Sequence, residues 1–360
     1  MPAYIKSMAL FSRTAQGLRL ERMAASPQFD GGRFVNRYPS GYRAPGDVDR
    51  PDLKGFLFGG ENRTPPAPLP SIDPRQGWSR RGESGLRVTW LGHSTVLVEI
   101  DGRRVLTDPV WGPRASPLGF LGPKRFQPVP VPIGALPPLD AIVISHDHYD
   151  HLDYPSVRAL AKLRVPIVTS LGVGVHLEAW GVPPELITEL DWWEEARLPG
   201  LTLTAAPAHH FSGRSLGDRN GTLWSSFVIR GERHSVYFGG DGGLSPLFAE
   251  IGRRLGPFDL VMMEVGAFHP SWGAVHLGPD NALEAWRKIG SGRFLPIHWG
   301  TFNLAMHAWD DPAERLFAHA PEGLLMPCIG QPIEPDRIGS LEPWWRGILE
   351  PGAVRRFVEG

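Results

Sequence analysis

The residues best able to do chemistry are concentrated in one short run, His146-Asp147-His148-Tyr149-Asp150-His151. The run directly follows the apolar residues 141–144 and Ser145, a pattern that predicts a buried strand ending in a functional loop. Burying each of its imidazoles and carboxylates without a partner would cost about 1 to 3 kcal/mol or more. A divalent cation satisfies them all at once, so the run favours a metal site over a solvated polar loop.

Four further candidate ligands follow other apolar stretches. They are His209 and His210 after 201–207, Asp241 after 236–240, and His298 after 294–297. Taken singly, a histidine at a strand end is more often a hydrogen-bonded structural residue, and Asp241 among its glycines is compatible with a simple turn. Together they repeat one pattern in both halves of the chain, which favours convergence on a single centre. Zinc accepts such histidine and carboxylate sets, as do iron and manganese. Spacing alone does not decide between His209 and His210.

Composition narrows the classes of protein that remain. A chain of 360 residues with 42% hydrophobic content can bury a large core. The single cysteine, Cys328, excludes an internal disulfide and a cysteine-rich metal site. A net charge of -1 provides no overall field to attract nucleic acid or an anionic membrane. Without a signal-peptide core or an apolar run of about 18 residues, we expect a cytoplasmic protein, a location compatible with peripheral membrane contact.

The elements that must position these residues alternate between strands and helices. An Asp101-Gly102 turn predicts a hairpin between residues 87–100 and 103–107. Further strands are predicted at 141–144, 166–169, 196–198, 202–205, 226–229, 235–238, 260–265 and 294–296, and helices at 155–163, 174–180, 246–255 and 280–289. Pro155 is a candidate first-turn proline. This order predicts an α/β sandwich with two facing sheets.

Residues 28–84 differ from the rest of the chain because they are dense in glycine, proline, arginine and asparagine. The composition predicts an extended N-terminal arm, with a disordered tail as the alternative. Interspersed aromatic residues favour an arm that packs along the body: Phe29, Phe34, Tyr38, Tyr42, Phe56 and Phe58. We therefore expect an arm at residues 1–84 and a catalytic domain at residues 85–360.

The HxHxDH set, with His210, Asp241 and His298, resembles the ligand pattern of the metallo-β-lactamase superfamily. Longer strings resemble the branch that contains N-acylphosphatidylethanolamine-hydrolysing phospholipase D: VTWLGHSTVLVEIDG at 88–102, TDPVW at 107–111, SHDHYDHLD at 145–153, PAHHFSGR from 207, YFGGDGG at 237–243 and IHWGTF at 297–302. The resemblance spans roughly residues 28–312. It implies a four-layer αβ/βα sandwich carrying the extended N-terminal arm.

The resemblance also implies two metal ions, expected to be zinc, with iron or manganese as alternatives. The first ion would be held by His146, His148 and His210, the second by Asp150, His151 and His298, and Asp241 would bridge both. Choosing His210 over His209 rests on this resemblance. Two such metals acidify a shared water to a bridging hydroxide and clamp the scissile oxygens, so no serine or cysteine nucleophile is needed. Asp150 and Asp241 are accordingly predicted catalytic residues.

Several residues near the predicted centre are open to two interpretations. His276 lies where the family places an additional active-site histidine, so it is a candidate proton donor or, alternatively, an exposed loop histidine. Asp108 is expected to orient a ligand imidazole or to form a simple turn. His93 is expected to order the first sheet. Arg214 and Asn220 are candidate contacts for an anionic substrate, with surface groups as the alternative.

Aromatic residues near the predicted site loops could line a channel for acyl chains, although most aromatic residues pack cores. They are Trp111, Phe120, Phe268, Trp272 and Phe302, of which Trp272 is the candidate substrate contact. Asp147 and Gly242-Gly243 depart from the phospholipase pattern without changing a ligand.

The predicted function is therefore hydrolysis of N-acylphosphatidylethanolamine or a related phosphodiester. A metal-dependent lactonase or β-lactamase-like acyl hydrolase is the alternative, because a fold does not fix a reaction. Near-zero net charge and the lack of a basic run argue against a nuclease or a nucleic-acid partner. A metal-binding scaffold without turnover is disfavoured by the complete ligand set. The expected partner is a lipid or small-molecule phosphodiester, and a homodimer is compatible with the sequence.

Overall fold

Two mixed β-sheets form the centre of the computed structural model, which describes residues 13–38, 62–215, 217–269, 275–319, 321–337 and 339–348. A short hairpin in the arm comes first, with β1 (Phe29–Asp30) and β2 (Arg33–Phe34). The first large sheet contains β3 (Leu86–Gly92), β4 (Thr95–Ile100), β5 (Arg103–Thr107), β6 (Ala141–Ile144), β7 (Ile167–Ser170), β8 (Ile187–Leu190) and β15 (Pro332–Ile333). The second contains β9 (Glu195–Leu198), β10 (Leu201–Ala206), β11 (Ser226–Arg230), β12 (Ser235–Phe238), β13 (Leu260–Glu264) and β14 (Arg293–Ile297).

Each sheet combines antiparallel and parallel pairing. The first has the order β15-β3-β4-β5-β6-β7-β8, antiparallel from β15 to β5 and parallel from β5 to β8. The second has the order β14-β13-β12-β11-β10-β9, parallel from β14 to β12 and antiparallel beyond. Parallel neighbours end at the same edge of a sheet, so β5 and β6 in one sheet and β12, β13 and β14 in the other present their last residues together.

The described helices are α1 (Gly17–Ala24), α2 (Arg75–Trp78), α3 (Tyr154–Leu160), α4 (Gly174–Ala179), α5 (Leu247–Leu255), α6 (Gly278–Ile289) and α7 (Asp311–His319). Helix α3 begins where the Asp153 side chain accepts a hydrogen bond from the backbone N–H of Ser156, with Pro155 in the first turn as expected. No helix of the described residues is long and apolar enough to cross a membrane.

Side chains alternate between the two faces of each strand, and this alternation produces the layers of the sandwich. On β4, Val96 and Val98 lie in the core that includes residues of the second sheet, whereas Leu97 packs with Val157 of α3 and Leu177 of α4. Helices α5 and α6 supply Ile251 and Leu283 to the core around the second sheet. Every fully buried aliphatic side chain of this kind contributes about 1.5 to 3 kcal/mol of apolar transfer free energy. The result is the αβ/βα sandwich that the sequence predicts.

The main error in the predicted elements lies in the run 87–100. It is two strands rather than one, because the chain turns at His93-Ser94, with φ of 108° at Gly92 and 52° at His93. Strands β8 and β15 and helices α1 and α7 were not predicted, since their segments carry weak or short apolar patterns. The Asp101-Gly102 hairpin turn is confirmed, with φ of 47° and 81°.

The described parts of the arm pack on the body. Phe34 is fully buried and packs with Trp192, Leu223 and Trp224. The ring of Phe29 packs edge-on against the ring of Phe34, with 5.0 Å between centroids. The predicted arm residues Tyr42, Phe56 and Phe58 lie outside the described residues.

Candidate metal centre

One cluster of ligand atoms forms where the loops after β6, β10 and β12 meet. It consists of His146, His148, His210 and Asp241. The His146 Nε2 atom lies 2.8 Å from His148 Nδ1, and that atom lies 3.3 Å from His210 Nε2. His210 Nε2 is in turn 3.7 Å from Asp241 Oδ2. These side chains are the ones that the resemblance assigns to the first ion, together with the bridging carboxylate.

A second cluster lies beside the first and consists of His93, Asp150, His151 and His298. Asp150 Oδ2 is 3.1 Å from His93 Nε2, 3.5 Å from His151 Nε2 and 3.3 Å from His298 Nε2. The ring of His93 packs against that of His298, with 4.0 Å between centroids. His93 was expected only to order the first sheet. The structure instead brings its imidazole into this cluster, because the turn between β3 and β4 directs it there.

Asp241 joins the two clusters. Its Oδ2 atom lies 3.1 Å from His151 Nε2 in the second cluster as well as 3.7 Å from His210 Nε2 in the first. Its other oxygen, Oδ1, lies 3.3 Å from His298 Nε2. The carboxylate is buried and stands between the two sets of imidazoles, so its position suits a group shared by two cations.

The donor set fits two metal ions on geometric grounds. Ligand atoms about 2.0 to 2.1 Å from a tetrahedral zinc ion stand roughly 3.3 Å from one another, close to the separations in both clusters. Among the described residues, the Nε2 atoms of His151 and His298 and Oδ1 of Asp241 are buried without a hydrogen-bond partner. Unpaired buried polar atoms are costly, and a cation would satisfy all three.

Charge also favours a cation at this place. Burial lowers the pKa of His298, but Asp241 and Asp150 raise it to about 10. Burial opposes ionisation of Asp241, yet His151 and His298 hold its pKa well below the ordinary value. The carboxylates and the imidazoles of His151 and His298 thus favour each other's charged forms. Metal ions replace the protons of such imidazoles when they bind.

Hydrogen bonds behind the imidazoles fix their orientation. His151 Nδ1 donates to Asp108 Oδ2 at 2.6 Å, and Asp108 also accepts from the backbone N–H and hydroxyl of Ser145. His210 Nδ1 donates to the carbonyl of Val275 at 2.8 Å. Both contacts leave Nε2 directed at the cluster, as in metal sites whose ligands are held by a second layer of partners. Of the two interpretations of Asp108, the structure supports the one in which it orients an imidazole.

His276 lies at the edge of the centre with Glu264, the last residue of β13. His276 Nδ1 donates to Glu264 Oε2 at 2.6 Å and is 3.9 Å from Asp241 Oδ2. Burial lowers the pKa of His276, but the Glu264 carboxylate outweighs it and the net shift is upward. Glu264 also accepts from the backbone N–H of Gly242 at 2.7 Å. His276 is thus an ordered neighbour of the clusters rather than an exposed loop histidine.

The predicted substrate contacts are placed differently. Arg214 is buried beneath the metal-binding loop, where Nη1 donates to the carbonyls of Asp147 and Leu152 and the guanidinium lies 3.9 Å from the Tyr149 ring centroid. Asn220 sits in a turn at φ 60°, and its backbone N–H bonds to Ser212. The Asn220 Oδ1 atom accepts from the Ser212 backbone N–H at 3.4 Å, so both side chains make contacts within loops. Their roles as substrate contacts stay predictions. Trp272 lies outside the described residues.

Histidine 209 does not join either cluster. Its ring is buried beside Tyr237 and Met263, and neither ring nitrogen has a hydrogen-bond partner among the described residues. The neighbouring imidazole of His210 faces the centre instead. The choice made from the resemblance agrees with this geometry.

The remaining aromatic candidates have separate roles. Phe302 packs edge-on against His93 at 5.2 Å, and the Phe268 ring stacks on His307 at 4.6 Å. Trp111 donates through Nε1 to the carbonyl of Val131 and packs under the first sheet. Phe120 is largely exposed.

Sequence reasoning missed three residues at the centre. His93 is marked only by the Gly92-His93-Ser94 interruption of a strand pattern, and Glu264 only by being a charge at the end of the apolar run 260–265. Asn36 of the arm accepts from the His210 backbone N–H at 3.1 Å and donates to its carbonyl at 2.8 Å. No local sequence pattern predicts that contact, since it joins residues 174 positions apart.

Comparison with known proteins agrees with this architecture. A family model of the beta-lactamase superfamily domain matches residues 103–299. An uncharacterized protein of Mycobacterium tuberculosis is 46% identical over 333 residues, which cover 89% of this chain and 88% of that protein. The N-acyl-phosphatidylethanolamine-hydrolyzing phospholipase D 1 of Caenorhabditis elegans is 41% identical over 234 residues, covering 62% of this chain and 66% of that enzyme.

A solved structure shares the fold at low sequence identity. The isothiocyanate hydrolase from Delia radicum gut bacteria matches with a TM-score of 0.57 and 20% identity, covering 69% of this chain and 98% of that chain. The matched residues 103–299 contain seven of the eight side chains of the two adjoining clusters, and His93 lies just before them. On this evidence the chain belongs to the metallo-β-lactamase superfamily and is a metal-dependent hydrolase.

Proposed function

We propose that the chain is a dinuclear phosphodiesterase of the phospholipase D type, acting on N-acylphosphatidylethanolamine or a related phosphodiester. The similarity to the Caenorhabditis elegans enzyme, 41% identity over 234 residues, carries the substrate class. The arrangement of the candidate centre supports hydrolysis, because two ligand clusters share one carboxylate and a histidine–glutamate pair stands beside them.

The proposed ligands are those implied by the resemblance. His146, His148 and His210 would hold one ion, Asp150, His151 and His298 the other, and Asp241 both; His93 is an additional candidate for the second ion. Zinc is the proposed metal, with iron and manganese accepting the same donors. When bound, two such ions supply an acidified water and positive charge for the phosphoryl oxygens.

The protein's own groups then determine orientation and proton transfer. Asp108 and the Val275 carbonyl keep the Nε2 atoms of His151 and His210 directed at the centre. Glu264 accepts the hydrogen bond from His276 Nδ1 and shifts the pKa of His276 upward, which favours the protonated imidazole as a donor. We assign His276 the role of protonating the departing alcohol oxygen of the diester.

A substrate panel on metal-loaded protein tests the proposal. The panel contains N-acylphosphatidylethanolamine in mixed micelles, a chromogenic phosphodiester, a lactone and a β-lactam. We expect turnover of the two phosphodiesters, with the lipid preferred, and little turnover of the acyl substrates. Faster turnover of the lactone or β-lactam than of either phosphodiester would replace the proposal with the acyl-hydrolase alternative.

A further inference from the structure

A cavity lies at the opposite end of the sandwich from the metal clusters. Its volume is about 390 Å³, and its lining includes the β4–β5 turn at Asp101-Gly102 and residues of the β11–β12 turn. Strand β5 runs from this turn to Thr107, next to Asp108 of the metal centre. At about 3.3 Å per residue, the strand separates the cavity from the clusters by roughly 15 Å. The cavity is therefore a separate site.

Guanidinium groups dominate its lining. Five arginines from separate stretches of chain line it, against three carboxylates: Arg81, Arg87, Arg103, Arg104 and Arg233, with Glu99, Asp101 and Glu232. This concentration of positive charge contrasts with the net charge of -1 of the whole chain. The cavity is thus locally suited to an anion.

Two of the three carboxylates pair with groups that belong to the cavity itself. Glu99 is shared by two guanidinium groups, at 2.5 Å from Arg87 Nε and 3.1 Å from Arg104 Nε. Asp101 accepts from the backbone N–H groups of Arg233 and His234 and from the His234 ring. Arg103 and Arg233 have carboxylate partners of their own, Asp140 at 3.1 Å and Asp101 at 3.4 Å. The excess of positive charge therefore lies where Arg87 and Arg104 share Glu99. Arg81 adds to it, since it has no carboxylate partner among the described residues.

Arg87 supplies a buried donor with unused capacity. Its side chain is only 8% exposed, and Nη1 donates to the carbonyl of Gly77. Its Nη2 atom is buried and has no hydrogen-bond partner among the described residues. An unsatisfied buried donor on a charged group is costly, so the position is built for a further acceptor. The planar fork of arginine suits the oxygens of a phosphate group.

Glycines give the guanidinium groups room at this end of the sandwich. A Cβ atom at Gly85, where φ is 94°, would lie 2.3 Å from Arg233 Nη2. A Cβ atom at Gly200, where φ is 72°, would lie 2.7 Å from Arg103 Nε. Larger residues would displace both arginines, so these backbone positions help to keep the positive groups in place.

We propose that this cavity binds a small molecule that carries a phosphate group, with Arg81, Arg87 and Arg104 as the phosphate contacts. A volume of a few hundred Å³ is that of pockets for small ligands, larger than a phosphate group alone requires. Because the lining comes from the hairpin turns of both sheets, a bound ligand connects the two halves of the sandwich. Binding to the folded state alone therefore raises the melting temperature.

The test titrates the metal-loaded protein with adenosine 5′-monophosphate and, separately, with inorganic phosphate by calorimetry. Hydrogen–deuterium exchange locates the binding. We expect saturable binding of the nucleotide with protection of residues 99–104 and 231–234. Tighter binding of the nucleotide than of phosphate assigns an organic phosphate ester, whereas equal affinity assigns the phosphate group alone; both support the site.

Variants separate this cavity from phosphate binding at the metals. Arg81→Glu and Arg104→Gln each weaken binding at the protected turns by about tenfold or more, as expected for loss of one charged contact. Arg22→Glu, which changes an exposed arginine far from the cavity, serves as the matched control and leaves the affinity unchanged. Absence of saturable binding, protection confined to the metal centre, or wild-type affinity in both cavity variants overturns the proposal.

Discussion

At the scale of single residues, the candidate centre depends on a few groups with divided roles. Asp241 touches both ligand clusters, whereas His276 and Glu264 stand at their edge and contact each other. In the proposed site, Asp241 would hold both ions and His276 would donate a proton, and these are separable tasks. Substituting each one should therefore give a different kinetic and metal-binding result.

For Asp241, replacement by asparagine removes the negative charge shared by both clusters. We expect Asp241→Asn to lower the bound metal sharply and to abolish hydrolysis, because both ions lose an anionic ligand. Elemental analysis after gel filtration, together with a turnover assay, measures both effects. Asp336→Asn, a change at an exposed carboxylate, is the control. Two metals per chain with normal turnover in Asp241→Asn would remove Asp241 from the centre.

The proposed role of His276 as proton donor is tested by comparing substrates whose leaving groups do and do not need a proton. We expect His276→Asn to lower kcat by about 10² to 10⁴ on a lipid diester, whose alkoxide needs a proton. The loss should be much smaller on a p-nitrophenyl diester, whose leaving group needs none. Metal content should stay normal, and the exposed-site variant His319→Asn should behave as wild type. Equal losses on both substrates would contradict the role of proton donor.

At the scale of elements, the sequence was most informative where strands and chemistry coincide. The apolar run 141–144 ending at His146 predicted both β6 and the metal-binding loop, and strand ends at Asp241 and His298 predicted their places. The place of His93 in the centre was not predicted, because a turn interrupts what the sequence shows as one continuous strand. Hydrophobic periodicity does not reveal a residue in the left-handed conformation. The contact of Asn36 with His210 was not predicted, because it depends on how the arm packs on the body.

Arg214 is an element-scale feature, since it connects the segment after His210 to the loop after β6. Replacing it by lysine keeps the charge but loses the fork that reaches the carbonyls of Asp147 and Leu152. We expect Arg214→Lys to reduce the free energy of unfolding by about 2 to 3 kcal/mol and to weaken metal retention.

Urea unfolding and metal competition with a chelator measure these losses. Arg197→Lys, at a largely exposed side chain, should change neither property. The KM ratio between a charged diester and a neutral lactone should be the same in wild type and Arg214→Lys. A rise in KM restricted to the charged substrate, with unchanged stability, would restore Arg214 as a substrate contact.

At the scale of the whole molecule, the two sheets are tied together at the end away from the metals. Asp101, in the β4–β5 turn of the first sheet, accepts hydrogen bonds from the β11–β12 turn of the second: Arg233 N at 2.7 Å, His234 N at 2.9 Å and His234 Nδ1 at 2.7 Å. Burial opposes ionisation of Asp101, but these donors lower its pKa below the ordinary value. The same carboxylate also borders the arginine-lined cavity.

This connection makes a pH-dependent prediction. A carboxyl group whose pKa is depressed by folding stabilises the protein above its unfolded pKa of about 3.9, and the contribution is lost as pH falls through the folded value. Asp101→Asn should therefore lower the free energy of unfolding at pH 7 by about 1 to 2 kcal/mol, measured by urea unfolding. Asparagine tolerates the positive φ of the turn, so the loss reports the missing charge and acceptor oxygen rather than backbone strain.

The difference between wild type and Asp101→Asn should stay constant above about pH 5 and shrink below about pH 4. Metal-free protein is used for both, so that loss of metal in acid does not enter the comparison. The control Asp30→Asn, at an exposed position in the arm hairpin, should match wild type throughout. A stability difference that is independent of pH between 7 and 3 would show that the Asp101 charge does not join the sheets.

The central claim, that distant segments bring their side chains to one pair of cations, is tested most directly by anomalous X-ray scattering from crystals of the zinc-loaded chain. We predict two peaks about 3.5 to 4 Å apart. One should lie beside His146, His148 and His210, the other beside Asp150, His151 and His298, and Asp241 should touch both. Peaks elsewhere in the molecule, or an occupied site from which His210 and His298 point away, would contradict the account.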